Sequence, residues 1–408
     1  MLGESSDQVP WFVFAGGGTG GHLFPVLAVV EALRRRGRPV DVSCFCTQRP
    51  IDRELLQAAG VEAIPLSVLP VTSRPWEWPR FWWRWRESVA LCRRIFSRHR
   101  PAAVVGAGGY ASGPPVHAAL TLGIPTFLLN PDAVPGRANR FLARRAGLTG
   151  IFAQWEVTRE HFPPAAPVEV TGCPVRPAFR AAGQADAAAI LRSFELEPGK
   201  RTLLVTGASQ GARTINEAMI RLAGELDWTG WQVLHLAGQA DAGGVAEAYA
   251  ALTGASAKSV LRARVLPFTN RMAEAMAACD LVVSRAGAST LAEIQAVGKP
   301  SILLPYPYHR DQHQRYNAMV LVEAGAAVLL DDARDAADNA RRLRPVLAEL
   351  MKDDRRRQVM GQAARELDHP DPAQSIASIV LGAAAGKGPA ACELCAGPAV
   401  KSLSRRIA

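Results

Sequence analysis

Three loops in this 408-residue chain carry glycines and polar side chains at spacings that suit phosphate and sugar chemistry. In the first, Gly16, Gly18 and Gly21 satisfy G-x-G-x-x-G between an apolar strand and a helix. Glycines let the backbone approach a ligand, and a helix N-terminus offers N–H groups and partial positive charge. The pattern is a dinucleotide fingerprint, but a nicotinamide site also wants an acid at the end of the second strand. That strand ends in Cys46-Thr47-Gln48, which argues against a dehydrogenase. His22 stands where the helix dipole favours a neutral imidazole, suited to a general base or a hydrogen-bond donor; a plain helix cap is the alternative.

The second loop, Gly207-Ala208-Ser209-Gln210-Gly211, repeats this logic, with Ser209 placed to donate to a phosphate unless the segment is a plain turn. The third region begins at SRAGASTLAE. There Arg285 follows a strand, to face a phosphate or to hold a structural carboxylate, and Glu293 can accept from both hydroxyls of a ribose. DQHQRYNA adds Asp311, His313, Gln314 and Asn317 after a strand ending at Pro305. Open α/β sheets bind ligands beyond strand C-termini; a solvated loop is the competing reading.

The elements that position these loops alternate between apolar strand and amphipathic helix, the sign of parallel sheets covered on both faces. Trp11 to Ala15 reads as a strand, Pro25 to Arg36 as a helix and Pro39 to Cys46 as the next strand. Thr202 to Thr206 begins a second such series, with a helix from about Thr214. Strand, glycine loop, helix, Gly-x-Pro and strand recur over Ala102–Leu129 and Leu281–Pro305. The expected fold is therefore α/β, with two Rossmann-like parallel-sheet domains facing across a cleft and a hinge near Cys173–Pro177. Residues 101–130 contain no Asp, Glu, Lys or Arg, yet Gly108-Gly109 and Pro114-Pro115 break them too often for a membrane span.

Hydrophobic content of 49% and charged content of 21% are globular values. The net charge of +10 invites an anionic partner. Seven scattered cysteines read as reduced thiols, the polar N-terminus is no signal peptide, and the lone Cys392/Cys395 pair is too few ligands for structural zinc. No metal ligand set is assigned.

Residues 74–100 hold five of the nine tryptophans, eight arginines and only two acids. Trp78, Trp82, Trp85, Val89, Cys92 and Phe96 step by four and three, a helical stripe, and arginines including Arg84 and Arg93 border or oppose it. That is the pattern of an interfacial helix on anionic lipid. A buried core face and a partner-protein groove are the alternatives, and no other feature supports nucleic-acid binding.

Taken together, GGTGGH (Gly17 to His22), GGYASGP (Gly108 to Pro114), SQGAR (Ser209 to Arg213), GAST…E (Gly287 to Glu293) and HQ…NA (His313 to Ala318) resemble the MurG family. These are the UDP-N-acetylglucosamine transferases that convert lipid I to lipid II in peptidoglycan synthesis. The resemblance runs from about residue 12 to about residue 380. It implies a GT-B fold with an acceptor and membrane-facing domain over 1–175 and a UDP-GlcNAc domain over 176–365. A helix over 366–385 would return to the first domain, leaving a disordered tail over 386–408.

The resemblance also implies roles. Thr19, Gly20 and Gly21 would approach the donor from the first domain, and Arg176 would be the interdomain arginine. Ser209 would contact the diphosphate, Thr269 the uracil, Glu293 the ribose and Gln314 the sugar, with Arg285 close by. Ala288, Ser289, Thr290, Leu291 and Ala292 would line the nucleotide. Gly108, Gly109, Tyr110, Ser112 and Asn139 would serve the acceptor, with His22 and Asp132 at the reacting centre. Two departures stand out: Leu129-Asn130-Pro131-Asp132 replaces the family's His-Glu-Gln-Asn, so that Asp132 turns an amide donor into an acceptor, and Cys173 replaces an asparagine before Pro174.

The expectation is an inverting transferase at the cytoplasmic face of the plasma membrane, moving GlcNAc from UDP-GlcNAc to lipid I. Its partners would be UDP-GlcNAc, the undecaprenyl-linked acceptor, an anionic membrane surface and, in addition, cell-wall or division proteins. No cofactor is required, though a divalent cation can accompany the diphosphate. The rivals are a related GT-B transferase with another lipid or glycoside acceptor, and a catalytically weak lipid-binding scaffold.

Overall fold

Strand β1, Trp11–Ala15, buries all five of its side chains, and their alternation divides them between two cores. Phe12 and Phe14 join one apolar cluster, while Trp11, Val13 and Ala15 join another on the opposite face. This computed structural model describes residues 9–18, 20–37, 39–70, 74–207, 211–253, 261–309 and 311–386. The chain divides into two units, Met1–Arg176 with His369–Ala408, and Pro177–Asp368.

The first unit continues with β2 (Asp41–Cys46), β3 (Glu62–Pro65), β4 (Ala103–Gly106), β5 (Thr126–Asn130), β6 (Gly150–Ala153) and β7 (Val168–Val170). All pair in parallel, in the order β3-β2-β1-β4-β5-β6-β7. Pro65 is tolerated because β3 is an edge strand. Between these strands run α1 (Gly20–Arg34), α2 (Pro50–Ala58), α3 (Trp78–Arg98), α4 (Gly113–Thr121) and α5 (Arg137–Leu142). Where the pattern predicts a helix from about Pro25, α1 begins at Gly20 and carries Pro25 inside, so His22 lies in its first turn.

The second unit starts with α6 (Pro177–Ala181) and α7 (Ala187–Ser193). Its strands are β8 (Arg201–Thr206), β9 (Trp231–Leu236), β10 (Arg262–Leu266), β11 (Leu281–Ser284), β12 (Ser301–Leu303) and β13 (Ala327–Leu329). Between and after them run α8 (Arg213–Glu225), α9 (Ala242–Thr253), α10 (Met272–Ala278), α11 (Ala288–Val297), α12 (His313–Glu323), α13 (Ala336–Lys352) and α14 (Asp354–Glu366). The parallel order β10-β9-β8-β11-β12-β13 repeats that of the first six strands of the other sheet. The last described helix, α15 (Pro372–Ala384), belongs to the first unit and packs on α1. Ala373, Ile376, Ala377, Ile379 and Val380 bury themselves in the same cluster as Phe12 and Phe14.

Residues 101–130 form β4, α4 and β5, and among the described residues no helix is long and apolar enough to cross a membrane. Cys44, Cys46, Cys92, Cys173 and Cys279 are buried and unbridged. Residues 387–408, with Cys392 and Cys395, lie outside the described residues.

The aromatic stripe of α3 divides in two. Cys92 and Phe96 are buried in the core, and Trp85 packs against it with its ring over Gly113, where a Cβ would come within 2.5 Å. Phe96, about 1% exposed, is therefore a core residue rather than a membrane contact. Helix α3 is 21 residues long and its partner α4 only nine. Trp85 meets the first residue of α4, so the seven α3 residues before it, Trp78 to Arg84, run past that contact by roughly 10 Å at 1.5 Å per residue. There Trp78 and Trp82 emerge at 52% and 55% exposure, joined by Trp76 at 74% and Trp83 at 62%.

Candidate active site

In the first sheet the connections from β1 and β4 leave in opposite directions, which makes the C-terminal ends of these neighbours the switch point where open α/β sheets bind ligands. The glycine loop leaves β1 there with Gly17 at φ 136° and Gly18 at φ 90°, conformations that glycine alone adopts readily. Gly108 and Gly109, at φ 89° and 72°, follow β4. A Cβ on Gly109 would stand 3.1 Å from the Gly17 carbonyl, so the two loops are in close contact because neither has side chains there.

His22 is half-buried, with Nδ1 3.2 Å from the Gly17 carbonyl oxygen. A carbonyl only accepts, so this hydrogen bond puts the ring proton on Nδ1 and the lone pair of the neutral imidazole on Nε2. A Cβ on Gly108 would lie 3.5 Å from Nε2. The glycine at 108 thus keeps space beside the nitrogen that would act as base.

Beyond β5, Asn139 Nδ2 donates to the Leu129 carbonyl at 3.2 Å and to Asn130 Oδ1 at 3.0 Å, and Asn130 Nδ2 donates to the Asp132 carbonyl at 2.7 Å. The buried Oδ1 of Asn139 has no partner among the described residues and so offers an acceptor. Asp132 is half-buried two residues past β5. Tyr110 is half-buried, whereas Ser112 is fully buried and donates to the Gly109 carbonyl at 2.8 Å; it pins the β4 loop and does not face an acceptor. The Arg176 guanidinium lies 5.3 Å over the ring of Phe24 on α1.

The second sheet has its switch point between β8 and β11. Of the alternatives for Arg285, the structure selects the carboxylate. Its Nη1 donates to Asp332 Oδ2 at 2.6 Å and to the Leu304 and Pro305 carbonyls, and its Nη2 donates to Thr214 Oγ1 at 2.9 Å. The side chain is 8% exposed, so Arg285 holds the frame of the site and does not present a charge to the donor. Asp332 also accepts from Thr214, Asn339 Nδ2 and the Arg334 N–H. Burial alone would raise its pKa, but these hydrogen bonds and that of Arg285 outweigh it and hold the carboxyl below its usual range.

On α11, Leu291 is fully buried and Ala288 and Ala292 nearly so; only their backbone can line a ligand. Ser289, Thr290 and Glu293 are half-buried. Gln314 Oε1 accepts from the Tyr306 N–H at 2.9 Å, which turns its amide nitrogen into the donor available for recognition. Thr269 follows edge strand β10, and its Oγ1 accepts from the Arg271 N–H at 3.1 Å. Thr19 and Ser209 lie outside the described residues; Gly20 and Gly21 open α1.

His309, Asp311 and His313 bring potential metal-ligating atoms within 4.8 Å of one another. The imidazoles stack at 4.4 Å, and His313 Nδ1 sits 2.8 Å from Asp311. His313 opens α12, where the helix dipole opposes a cation, so the cluster carries no metal assignment.

Two residues of these sites have no motif. Asp52, in the first turn of α2, is fully buried and its carboxylate accepts from the Gly18 N–H at 2.9 Å and from Thr47 Oγ1 at 2.5 Å. In the second unit Asp332, three residues after β13, is likewise buried and holds Arg285 and Thr214. An acid shortly after a strand was the available signal in both cases.

Models of the glycosyltransferase family 28 N-terminal and C-terminal domains match residues 12–151 and 202–376. A UDP-N-acetylglucosamine–N-acetylmuramyl-(pentapeptide) pyrophosphoryl-undecaprenol N-acetylglucosamine transferase from Desulforudis audaxviator (strain MP104C) is 36% identical, covering 92% of this chain and 99% of its own length. The chain belongs to this transferase family. A family member of the same description from Nocardioides sp. (strain ATCC BAA-499 / JS614) is 37% identical, over 90% of this chain and 97% of its own. The crystal structure of Acinetobacter baumannii MurG superposes with a TM-score of 0.70 at 25% identity, over 91% and 99% of the two chains. The fold is that of a GT-B glycosyltransferase, and the family 28 chain is a UDP-GlcNAc-dependent enzyme.

Proposed function

We propose that this chain transfers N-acetylglucosamine from UDP-N-acetylglucosamine to the C4 hydroxyl of N-acetylmuramic acid in lipid I, giving lipid II. The observation that carries the reaction is the His22 tautomer. With Nδ1 donating to Gly17, Nε2 takes the hydroxyl proton as the oxygen attacks C1 of the donor. The C1–O bond to UDP breaks, its electron pair leaves on the β-phosphate oxygen, and the anomeric centre inverts. Arg176 and backbone dipoles stabilise the departing diphosphate, and a divalent cation bound to it is compatible with the scheme. Ser209 would contact the diphosphate, Glu293 the ribose and Gln314 the sugar, while Asn139 Oδ1 offers an acceptor to a substrate hydroxyl.

The test is transfer of labelled GlcNAc from UDP-GlcNAc to purified lipid I by the wild type and by His22→Ala. Transfer by the former and a large loss in the latter is the expected result. Absence of transfer despite UDP-GlcNAc binding would move the acceptor elsewhere. A second reading, another lipid or glycoside acceptor on the same donor chemistry, is supported by Asp132, an acid where the family resemblance implies an amide.

The protein would work attached to the cytoplasmic face of the plasma membrane. Trp76, just before α3, and Trp78, Trp82 and Trp83 in its first two turns expose their rings on a segment that also exposes Arg80 and Arg86, with Arg93 and Arg94 exposed further along the helix. Amphipathic rings beside cations suit the headgroup layer of anionic lipid, where each basic residue contributes about 1 kcal/mol. Arg84 belongs to the same surface but is tied to Glu87 at 2.9 Å and lies 5.0 Å from the Trp83 ring.

A further inference from the structure

We propose that Asp52 is the positioning residue of the first glycine loop, holding His22 in the tautomer that can act as a base; the inference rests on the reaction proposed above. The side chain comes from α2, across the C-terminal end of β2, and is fully buried. Its Oδ2 accepts from the Gly18 N–H at 2.9 Å, from the Thr47 N–H at 3.3 Å and from Thr47 Oγ1 at 2.5 Å, and its Oδ1 accepts from the Gly18 N–H at 3.2 Å. Arg49, just before α2, donates from Nη1 to the Gly18 carbonyl at 2.5 Å. The same short segment therefore grips Gly18 through both its N–H and its carbonyl.

The carboxylate also excludes alternatives for the loop. A Cβ on Gly17 would stand 2.4 Å from Asp52 Oδ2, so the backbone of Gly17 lies directly against it. The Gly17 carbonyl then points to His22 Nδ1 at 3.2 Å. The order of command runs from Asp52 to the Gly17–Gly18 turn, and from the Gly17 carbonyl to the imidazole proton. Buried charge needs such hydrogen bonds, and here the loop supplies them. Asp52 stays out of reach of the reacting atoms; it acts through His22.

Asp52→Asn keeps the size but presents N–H donors where the loop also presents donors. Measured on the full chain, it should lower kcat for GlcNAc transfer by about 100-fold, the scale of a small misplacement of a reacting group. KM for UDP-GlcNAc should change far less than kcat, because the ribose and sugar contacts proposed for α11 and α12 are untouched. Nitrogen NMR of ring-labelled histidine should show His22 as the Nδ1–H tautomer in wild type and as a mixture in Asp52→Asn. Asp52→Glu, which keeps the charge, should recover part of kcat and of the tautomer preference. The NMR readout needs no turnover, so it stands even if lipid I proves to be the wrong acceptor. A folded Asp52→Asn with wild-type kcat, or with an unchanged His22 tautomer, would overturn the proposal. Should Asp52→Asn not fold, Thr47→Val removes the 2.5 Å hydrogen bond to Asp52, together with the 3.3 Å one that Thr47 Oγ1 accepts from the Arg49 N–H; it should shift the tautomer and kcat in the same direction, and no shift there would equally overturn the idea.

Discussion

Arg285 and Asp332 meet at 2.6 Å, with their side chains 8% and 0% exposed, and between them they tie together the ends of β11, β12 and β13 and the start of α8. Breaking a buried pair by removing one partner leaves an uncompensated charge and costs ~3–5 kcal/mol. Arg285→Ala should therefore lower the denaturant midpoint of the second unit by that scale, and Asp332→Ala likewise. If Arg285→Ala instead leaves stability intact and weakens UDP-GlcNAc binding alone, the guanidinium faces the donor after all. The depressed pKa of Asp332 gives a sign: the folded state binds the proton less readily than the unfolded one. Its contribution is complete above the unfolded carboxylate value of about 4 and is lost as pH falls through the folded value.

His235 adds a loss of stability on acidification that begins at a higher pH than that of Asp332. It is fully buried, with Nε2 3.0 Å from Asn216 Oδ1 and Nδ1 3.1 Å from the Tyr249 hydroxyl. Asn216 donates through Nδ2 to Ala237 and Asp241, so its Oδ1 accepts from Nε2–H, and Tyr249 donates to Nδ1. Burial pushes the His235 pKa down to about 3. The unfolded chain takes up this proton near pH 6.5 and the folded chain does not, so stability falls as pH drops below 6.5. Between pH 7.5 and 5.0 the loss should be about 2 kcal/mol. Urea denaturation of wild type and His235→Gln at both values checks it, and equal pH dependence of the two would remove His235 as the source.

Glu293 supplies the donor-side prediction. Glu293→Ala should weaken UDP-GlcNAc binding by ~1.5–3 kcal/mol, the scale of hydrogen bonds to a charged group. Calorimetry reads this directly, and unchanged affinity would take the ribose away from Glu293.

The two halves of α3 should separate by mutation. Replacing Trp76, Trp78, Trp82 and Trp83 with Ser should release the protein from anionic vesicles while its melting temperature and UDP-GlcNAc affinity hold. Phe96→Ala should cost ~3–5 kcal/mol of stability, as expected for a large side chain removed from a packed core. Persistent vesicle binding by the quadruple variant would place the membrane contact elsewhere.

Glycine loops, His22 and the alternation of strand and helix were legible because each rests on neighbours in sequence. Asp52 and Asp332 were not, since their roles arise where segments 34 and 47 residues apart meet. Arg285 showed the same gap: its type admitted a phosphate or a carboxylate, and only the arrival of Asp332 from beyond β13 chose between them. For α3 the periodicity identified which residues share a face, yet not where that face outruns its shorter partner. The stripe therefore splits: Trp78 and Trp82 are exposed, while Trp85 packs on the core and Phe96 lies within it.

The return of α15 to the first unit also orders events during synthesis. Residues 177–368 form a continuous stretch and can fold as soon as they have emerged, but the cluster around Phe12 and Phe14 lacks Ile376 and Val380 until almost the entire chain has been made. At 5–20 residues per second the ribosome leaves the older half waiting roughly 10–40 s for its closing helix. The part translated first is thus the part completed last, and its apolar sheet face is the surface that a chaperone would meet on the nascent chain.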